Sequence, residues 1–310
     1  MTTTALLSCA GRPVGRYTYL PAPDGRPYLD EQCGIPYEVF DEVLQEVGPP
    51  VHRLLRTVSG ALDEHPVTTL AGTPVTEERP ADHVHHLGTS VAVPDVAGHN
   101  FWGGRTFVRG QGPTVLDNHG VQRHLGWKLR DPDGFVEELS WEAGDTELLR
   151  EHRTVAATEL SPAAWALDFS FSLTNRGTSD LSIGSPATNG RPGAGYGGFF
   201  WRAPKETSAP AVFSGTADGE EAVHGKAADW VAMSGDGWTL VFAGATEETR
   251  RDPWFVRTTE YPGVGSSLAA DRRLPVPAGA TIVRRVVTVI ADGRLGRDEA
   301  AAHVRRAVTA

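Results

Sequence analysis

The chain has 310 residues, of which 40% are hydrophobic and 22% charged, and its formal net charge at pH 7 is −10. This composition is typical of a globular protein with a sizeable core, and the length fits one large all-β domain or two average domains. Lysine and arginine are scattered without a basic stripe, so we expect no nucleic-acid partner. No run of about 18 apolar residues occurs, so we expect no membrane span. Two cysteines, Cys9 and Cys33, argue against a disulfide framework and favour a reducing, cytoplasmic location.

The first predicted elements are two helices within residues 35–64. Apolar residues recur at helical spacing on both sides of Gly48-Pro49-Pro50, which predicts an inserted helical hairpin. A helical pair needs a surface that covers its apolar stripe. We therefore expect this hairpin to pack against the domain or to mediate a homo-oligomer, with a place beside the functional site as the alternative.

Beyond the hairpin, the dominant period of the sequence is two. Apolar residues alternate with small or polar residues over 165–173, which predicts a strand with one apolar face. Further strands are predicted over 121–129, 135–141, 146–160, 238–242 and 281–290. Frequent glycine and proline turns favour an all-β fold, a large antiparallel β-sandwich, over alternating β and α units. Asp298 is expected to cap a short C-terminal helix over 296–310, and residues 1–310 are expected to form a single domain.

Six of the eleven histidines lie close together in the sequence: His83, His85, His86, His99, His119 and His124. Histidine exchanges a proton near neutral pH and is the commonest metal ligand in proteins. Because these histidines stand beside acids, tryptophans and glycine-rich turns, they predict a polar site in a cleft.

The spacing of these histidines leaves several roles open. His83 and His85 would share one face of a strand, whereas His86 would point to the other face. A metal site needs three convergent ligands, and no third ligand stands at a fixed short spacing. No cofactor is therefore predicted; a divalent metal, if bound, would use His83 and His85. His124 alternates with Gln122 on a polar strand face, which favours a ligand cleft. Structural hydrogen bonding is the alternative role for these histidines.

Four segments carry uncommon strings in a fixed order: 82–88, 100–105, 116–127 and 196–202. The first reads Asp-His-Val-His-His-Leu-Gly and the last Tyr-Gly-Gly-Phe-Phe-Trp-Arg. On these strings the chain resembles a bacterial family of PmoA-like proteins ("methane oxygenase PmoA") over roughly residues 65–292. The resemblance implies a β-sandwich related to galactose-mutarotase-like supersandwich proteins, and a role in carbohydrate metabolism. The segment 35–64 departs from the family, whose members run almost directly from Arg-Pro-Tyr-Leu into His-Pro-Val.

Aromatic and cationic side chains in glycine-rich or aromatic strings are the candidate ligand-binding residues: His99, Asn100, Trp102, Tyr196, Arg202 and Arg257. The apolar face of a sugar stacks on aromatic rings, while its hydroxyls need paired donors and acceptors. The two aromatic residues would form the sugar platform, with a place in the core as the alternative. The two arginines would hold an oxygen or a carboxylate, or form structural ion pairs.

The leading hypothesis is an enzyme that acts on a small-molecule carbohydrate, a sugar or keto-sugar. It would use His/carboxylate acid–base catalysis as an epimerase, lyase or hydrolase. The catalytic candidates are His85, His86, His124, Arg202 and Glu260. Glu260 is the expected base, because the resemblance places the base of mutarotase-like enzymes in the C-terminal part; Asp82 and Asp117 are alternatives that orient histidines. The two other hypotheses are a metal-dependent, oxygenase-like enzyme and a non-catalytic sugar-binding or interaction module.

Overall fold

The structure, a computed structural model, describes residues 4–19, 28–29, 66–77, 80, 82–83 and 85–309. The predicted hairpin over 35–64 lies outside the described residues. Within the described residues, the chain is built mainly from antiparallel strands in two large sheets, which we call the front sheet and the back sheet. The predicted all-β sandwich is therefore confirmed.

The front sheet contains ten strands of the described part of the chain. Seven of them follow the order β1-β2-β3-β4-β13-β18-β17, while β5 and β12 pair with β4, and β19 pairs with β12. Their bounds are β1 (Thr4–Cys9), β2 (Arg12–Thr18), β3 (Tyr28–Leu29), β4 (Thr89–Val96), β5 (His99–Phe101), β12 (Leu181–Gly184), β13 (Gly198–Arg202), β17 (Trp254–Arg257), β18 (Gly263–Ser267) and β19 (Leu274–Val276).

The back sheet has the order β14-β15-β16-β20-β11-β10-β9-β8 among the described residues. Its strands are β8 (Val121–Asp131), β9 (Gly134–Ala143), β10 (Thr146–Ser161), β11 (Ala164–Asn175), β14 (Ala211–Ser214), β15 (Trp230–Ser234), β16 (Trp238–Gly244) and β20 (Thr281–Asp292). A separate hairpin pairs β6 (Thr106–Val108) with β7 (Gly112–Thr114). The strands predicted from period two all belong to the back sheet.

The core lies between the two sheets and follows the predicted alternation of β11. Its inward side chains are buried: Trp165, Leu167, Phe169, Phe171 and Leu173. Phe169 meets Phe199 of the front sheet with ring centroids 5.5 Å apart, and Phe242 of β16 meets Trp201 at 5.6 Å. Burying each such ring contributes about 1.5–3 kcal/mol. These contacts fix which face of β13 looks inward.

The outer face of the front sheet carries a second apolar cluster. Side chains alternate along a strand, so Phe200 and Arg202 point away from the core that holds Phe199 and Trp201. The cluster on this outer face contains Ala92, Trp102, Phe200, Phe255 and Tyr261, with Tyr196 packed against it. Because this outer face is also buried, other residues of the chain must cover it. The candidate site lies among those residues.

The described residues also form three helices: α1 (Glu220–Val223), α2 (Glu247–Arg251) and α3 (Arg297–Thr309). The predicted C-terminal helix corresponds to α3, which buries Ala300 and Ala307 against the outside of the back sheet. Asp298 is not the cap, because the helix begins one residue earlier at Arg297; Glu299 accepts from the backbone N–H of Gly296 at 2.8 Å. No helix among the described residues has the length and apolarity needed to cross a membrane.

Candidate functional site

The candidate site lies on the outer face of the front sheet, where β4 and β13 are neighbours. Residues 82–83 and 85–88 precede β4, and the ring of His86 lies over this face, with its centroid 5.0 Å from that of Phe200. A turn over 101–104 borders the same place. The residues that meet here form what we call the histidine site: Asp82, His83, His85, His86, Arg202 and Tyr261.

Arg202, the last residue of β13, anchors the histidine site. Only 1% of it is exposed, and its Nη2 donates to both carboxylate oxygens of Asp82, at 2.9 and 3.1 Å. Its Nη1 lies 3.4 Å from Nδ1 of His86, and its guanidinium lies 4.9 Å from the ring centroid of Tyr261. Arg202 was expected either to clamp a substrate oxygen or to form a structural ion pair, and the ion pair with Asp82 is present. Arg202 is buried and holds Asp82, so its contribution to any chemistry passes through that carboxylate.

Asp82 is therefore a fixed negative charge. Burial alone would raise the pKa of Asp82, but the hydrogen bonds and charge of Arg202, with the charges of His83 and Lys205, hold it below its usual value of 3.8. The Lys205 ammonium lies 3.5 Å from Oδ2 of Asp82. At neutral pH this carboxylate is ionised and available to orient an imidazole.

His83 is the imidazole beside that carboxylate. Its Nδ1 is buried and lies 3.6 Å from Oδ1 of Asp82, while 37% of its side chain is exposed. The ring stacks on His86, with centroids 4.7 Å apart and planes at 10°, and meets Tyr261 at 4.7 Å. Because the edge with Nδ1 faces the protein, the exposed edge carries Nε2. Nδ1 makes no hydrogen bond at this distance, but an ionised carboxylate near one nitrogen and solvent at the other is the arrangement of a general base.

His86 and Trp102 lie underneath His83 and are nearly closed to solvent. Their exposed fractions are 2% and 4%. His86 contacts Trp102, Phe200 and Tyr261 with ring centroids 5.6, 5.0 and 4.6 Å apart. Direct proton transfer by His86 and sugar stacking on Trp102 do not fit this burial. Both side chains instead lie beneath the ring of His83, which is partly exposed.

His85 lies on the glycine turn that follows β5. A Cβ added to Gly103 would come within 2.8 Å of the His85 Cβ, and a Cβ added to Gly104 within 2.8 Å of its Cε1. Both glycines also have positive φ, 101° and 63°, which other L-residues rarely adopt. The Gly-Gly pair therefore makes room for His85, which stays half-buried at the surface of the site.

Two phenols lie next to the imidazoles. Tyr196 is half-buried and meets Trp102 with ring centroids 4.5 Å apart. Burial raises the pKa of Tyr196 and Tyr261 above the usual value of 10.0, although nearby arginines oppose it. Both phenols are therefore protonated at neutral pH and are hydrogen-bond donors. Of the two predicted platform residues, Tyr196 is the one that stays partly exposed.

Asn100 organises the turn and does not face a ligand. Its Oδ1 accepts from the backbone N–H groups of Trp102 and Gly103, at 2.8 and 3.0 Å, and its Nδ2 donates to Thr106 at 3.1 Å. These bonds occupy the polar atoms that were expected to bind substrate. His99 is half-buried in β5, where it pairs with Val96 and contributes no described contact to the histidine site.

Arg257 belongs to a neighbouring network. Its Nη2 donates to the carbonyl oxygen of Gly193 at 3.1 Å, its Nη1 lies 3.5 Å from Glu220, and its guanidinium lies 4.6 Å from the ring centroid of Phe255. Burial and the charge of Arg257 lower the pKa of His224, the imidazole of that network. The ion pair, which was the alternative role for this arginine, is therefore present.

Glu260 lies at the rim of the histidine site. It is exposed, and its backbone carbonyl oxygen lies 3.4 Å from Nζ of Lys205. Among the described residues, no side chain orients its carboxylate toward an imidazole. The geometry of a base is found instead at Asp82, one of the two alternative carboxylates, and His83.

His124 is not part of this group. Its Nδ1 lies 2.6 Å from Oε1 of Glu137, a carboxylate buried in the core between the two sheets. Its ring contacts Tyr19 and Trp127 with centroids 4.8 and 4.9 Å apart. Since His86 contacts the outer face of β13 and Glu137 faces the inner core, the predicted convergence of His124 with His85 and His86 is wrong.

The described residues contain no group of three or more His, Cys, Asp or Glu arranged to hold a metal ion. A metal ion bound by His83 and His85 would therefore have no third protein ligand among the described residues. Sequence reasoning missed Tyr261 and Lys205, which border Asp82 and His83. Tyr261 directly follows Glu260 in the sequence, but nothing in that string indicates which of the two neighbours points inward.

Three solved structures show a weak likeness to the chain. Two crystal structures of heparan sulfate lyase HepC from Pedobacter heparinus, one of them a mutant, match with TM-scores of 0.31 and 0.30 at 13% and 14% identity. Each match covers 59% of this chain and 24% of that chain. A heparinase III gene product matches with a TM-score of 0.24 at 12% identity, over 58% of this chain and 22% of that one. The chain thus spans less than a quarter of the length of these proteins, and likeness this weak carries no functional conclusion.

No curated protein sequence matches the chain. A family model does match, over residues 63–305, and it is not a PmoA model. The resemblance to PmoA-like proteins is therefore wrong, and the relation to mutarotase-like proteins that it implied has no support. The strings 82–88 and 196–202 fall inside the matched region and carry the histidine site. The chain belongs to the Family of unknown function (DUF6807).

Proposed function

We propose that the protein is a carbohydrate-active enzyme that works by proton transfer at the histidine site. The observation that carries the proposal is the chain Arg202–Asp82–His83, which ends at a solvent-facing imidazole nitrogen. A buried arginine fixes the carboxylate, and the carboxylate lies beside Nδ1 of the imidazole. An epimerase, a lyase and a hydrolase all need such a base.

In the proposed step, His83 takes one proton and a second group supplies another. Neutral His83 that carries its proton on Nδ1 has a lone pair on Nε2, which takes a proton from a sugar hydroxyl or from a carbon next to a carbonyl. The resulting imidazolium is stabilised by the charge of Asp82. A second proton goes to the oxygen that gains electrons, and His85, half-buried beside His83 with ring centroids 5.9 Å apart, is placed to deliver it.

The surroundings favour a polyhydroxylated ligand. Tyr196 is partly exposed and combines an aromatic ring with a phenol that donates hydrogen bonds, and Lys205 adds a cation at the rim. Sugars need both an apolar surface and several directional polar partners. This combination is the reason to propose a carbohydrate over an apolar substrate.

The test is a substitution of His83 by glutamine, which keeps the size and polarity of the side chain but cannot exchange a proton. Wild type, H83Q and the control H152Q would be incubated in D2O with neutral disaccharides, uronic disaccharides and keto-sugars, and products would be followed by NMR. His152 is a suitable control because nearly half of its side chain is exposed on β10. We expect conversion or deuterium incorporation with wild type and H152Q, and a rate about 10²–10⁴-fold lower with H83Q.

Two outcomes would contradict the proposal. If H83Q kept the wild-type rate, the chemistry would lie elsewhere in the protein. If wild type neither converted nor bound any member of the panel, the carbohydrate assignment would fail.

A further inference from the structure

A second carboxylate–imidazole pair lies on the other side of the front sheet, between the two sheets. Glu137 of β9 is fully buried and accepts hydrogen bonds at both oxygens, from Nδ1 of His124 at 2.6 Å and from the hydroxyl of Tyr17. The hydroxyl of Tyr17 in turn accepts from Nη1 of Arg153 at 2.9 Å. Four polar side chains from four strands thus form one chain of hydrogen bonds.

The order of donors in this chain fixes the tautomer of His124. Arg153 can only donate, so the hydroxyl of Tyr17 accepts from it and passes its own proton to Glu137. Burial raises the pKa of Glu137, while the hydrogen bond of His124, the charge of Arg153 and the Tyr17 hydroxyl oppose that shift. With Glu137 as an acceptor at both oxygens, Nδ1 of His124 must carry a proton. Neutral His124 therefore has its lone pair on Nε2.

That lone pair faces away from the core. The side chain of His124 is 11% exposed, and its Nε2 is neither buried nor paired with any described residue. Tyr19, which is buried, and Trp127, which is half-buried, form walls beside the ring. The guanidinium of Arg130 lies 5.8 and 5.2 Å from the ring centroids of those two walls. His124 therefore presents a proton acceptor beside the half-buried ring of Trp127, with ring centroids 4.9 Å apart.

The fixed charges around His124 indicate which class of ligand would bind there. Arg153 also donates to both oxygens of Glu151, at 2.7 and 3.0 Å, so one buried cation faces two buried carboxylates. Among the described residues, Arg153, Glu137 and Glu151 together carry one excess negative charge while His124 is neutral, and Arg130 lies at the rim of this group. This excess negative charge disfavours an anionic ligand beside His124.

We propose that His124 is the base of a second binding site, for a neutral hydroxylated ring such as a sugar, and that the β1–β2 hairpin completes it. The ring would pack its apolar face on Trp127, and one hydroxyl would donate to Nε2 of His124. Tyr17 and Tyr19, which orient Glu137 and wall the opening, precede the region 63–305 that the family model matches. This proposal is independent of the histidine site and of the function proposed for it.

The tautomer and the binding can be tested together by NMR. Ring nitrogens of 15N-histidine-labelled protein would be observed for wild type, E137Q and the control E142Q, with and without methyl β-D-glucopyranoside. Glu142 lies on the same strand and pairs at the surface with Arg123, so its substitution controls for the loss of a carboxylate from β9. H124Q identifies the signals of His124.

We expect wild type and E142Q to show an unprotonated Nε2 on His124 whose signal shifts as the glucoside binds. In E137Q, the amide can donate to Nδ1 and reverse the tautomer, so glucoside affinity should fall about tenfold or more, which corresponds to about 1.4 kcal/mol. If Nε2 of His124 is protonated in neutral wild type, or if the glucoside shifts no His124 signal at saturating concentration, the proposal is overturned. A shift that sodium glucuronate produces more strongly than the glucoside would overturn the charge argument.

Discussion

The histidine site contains two kinds of residue: those that are partly exposed to solvent, and buried residues that pack beneath them. His83 and His85 reach solvent, whereas His86 and Arg202 are buried beneath them. The sequence alone indicated the neighbourhood, because the histidines and the aromatic-arginine string flank β4 and β13, which pair. It could not indicate which histidine is exposed, since that depends on the packing of Tyr261 and Trp102 under the segment.

Asp82→Asn tests the anchoring role of the carboxylate. The substitution leaves the buried guanidinium of Arg202 without its counter-charge, so we expect a loss of about 1–3 kcal/mol in the free energy of unfolding at pH 7. Because the folded-state pKa of Asp82 lies below its usual 3.8, its contribution is complete above that value and is lost as the pH falls through the folded pKa. Urea unfolding of both proteins should therefore show a difference that shrinks in acid below about pH 4.

Asp218→Asn is the matched control for this prediction. Asp218 pairs with Arg297 at 2.8 Å, but its side chain is 78% exposed, so its loss should cost no more than about 1 kcal/mol. Equal losses for the two variants would mean that Asp82 is an ordinary surface ion pair and that Arg202 does not depend on it.

At the level of the secondary-structure elements, period two is clearest in β9, β10 and β11, where buried and more exposed side chains alternate. The front-sheet strands β4 and β13 are buried on both faces, so their sequences lack a clear alternation. Phe199 contacts Phe169 across the core, and this contact determines that Arg202 lies on the opposite, outer face of β13. The period of the sequence does not predict such a contact between the two sheets. For the same reason, the inward direction of His124 on β8 was not predictable.

The glycine turn after β5 yields a prediction about His85. Gly104→Ala places a methyl group against the His85 ring at a positive φ, whereas Gly110→Ala meets nothing within 4 Å at a φ of 79°. Both variants should lose about 1–2 kcal/mol through backbone strain. Only G104A should also shift the NMR signals of the His85 ring and lower any activity of the histidine site. Identical spectra for His85 in both variants would show that the turn does not position this imidazole.

On the scale of the whole molecule, the buried polar network joins the two sheets across an otherwise apolar core. Tyr17 belongs to the front sheet, while Glu137 and Arg153 belong to neighbouring strands of the back sheet. Charged groups in such a core are costly unless every donor and acceptor is paired. The pairing therefore makes the position of the β1–β2 hairpin depend on the back sheet, so that the N-terminal hairpin and the matched family region should unfold together.

A double-mutant cycle measures this dependence. Tyr17→Phe removes the hydroxyl that bridges Arg153 and Glu137. Glu137→Gln removes the negative charge that accepts the hydrogen bond of this hydroxyl. Because both changes break the same chain of hydrogen bonds, their effects on the free energy of unfolding should fail to add by about 0.5–3 kcal/mol. The control cycle combines Y17F with D252N, since Asp252 bonds Arg284 and shares no partner with Tyr17. That cycle should be additive within about 0.5 kcal/mol. If denaturant unfolding gave additive effects in both cycles, the network would not couple the hairpin to the back sheet, and His124 would not depend on Tyr17 for its orientation.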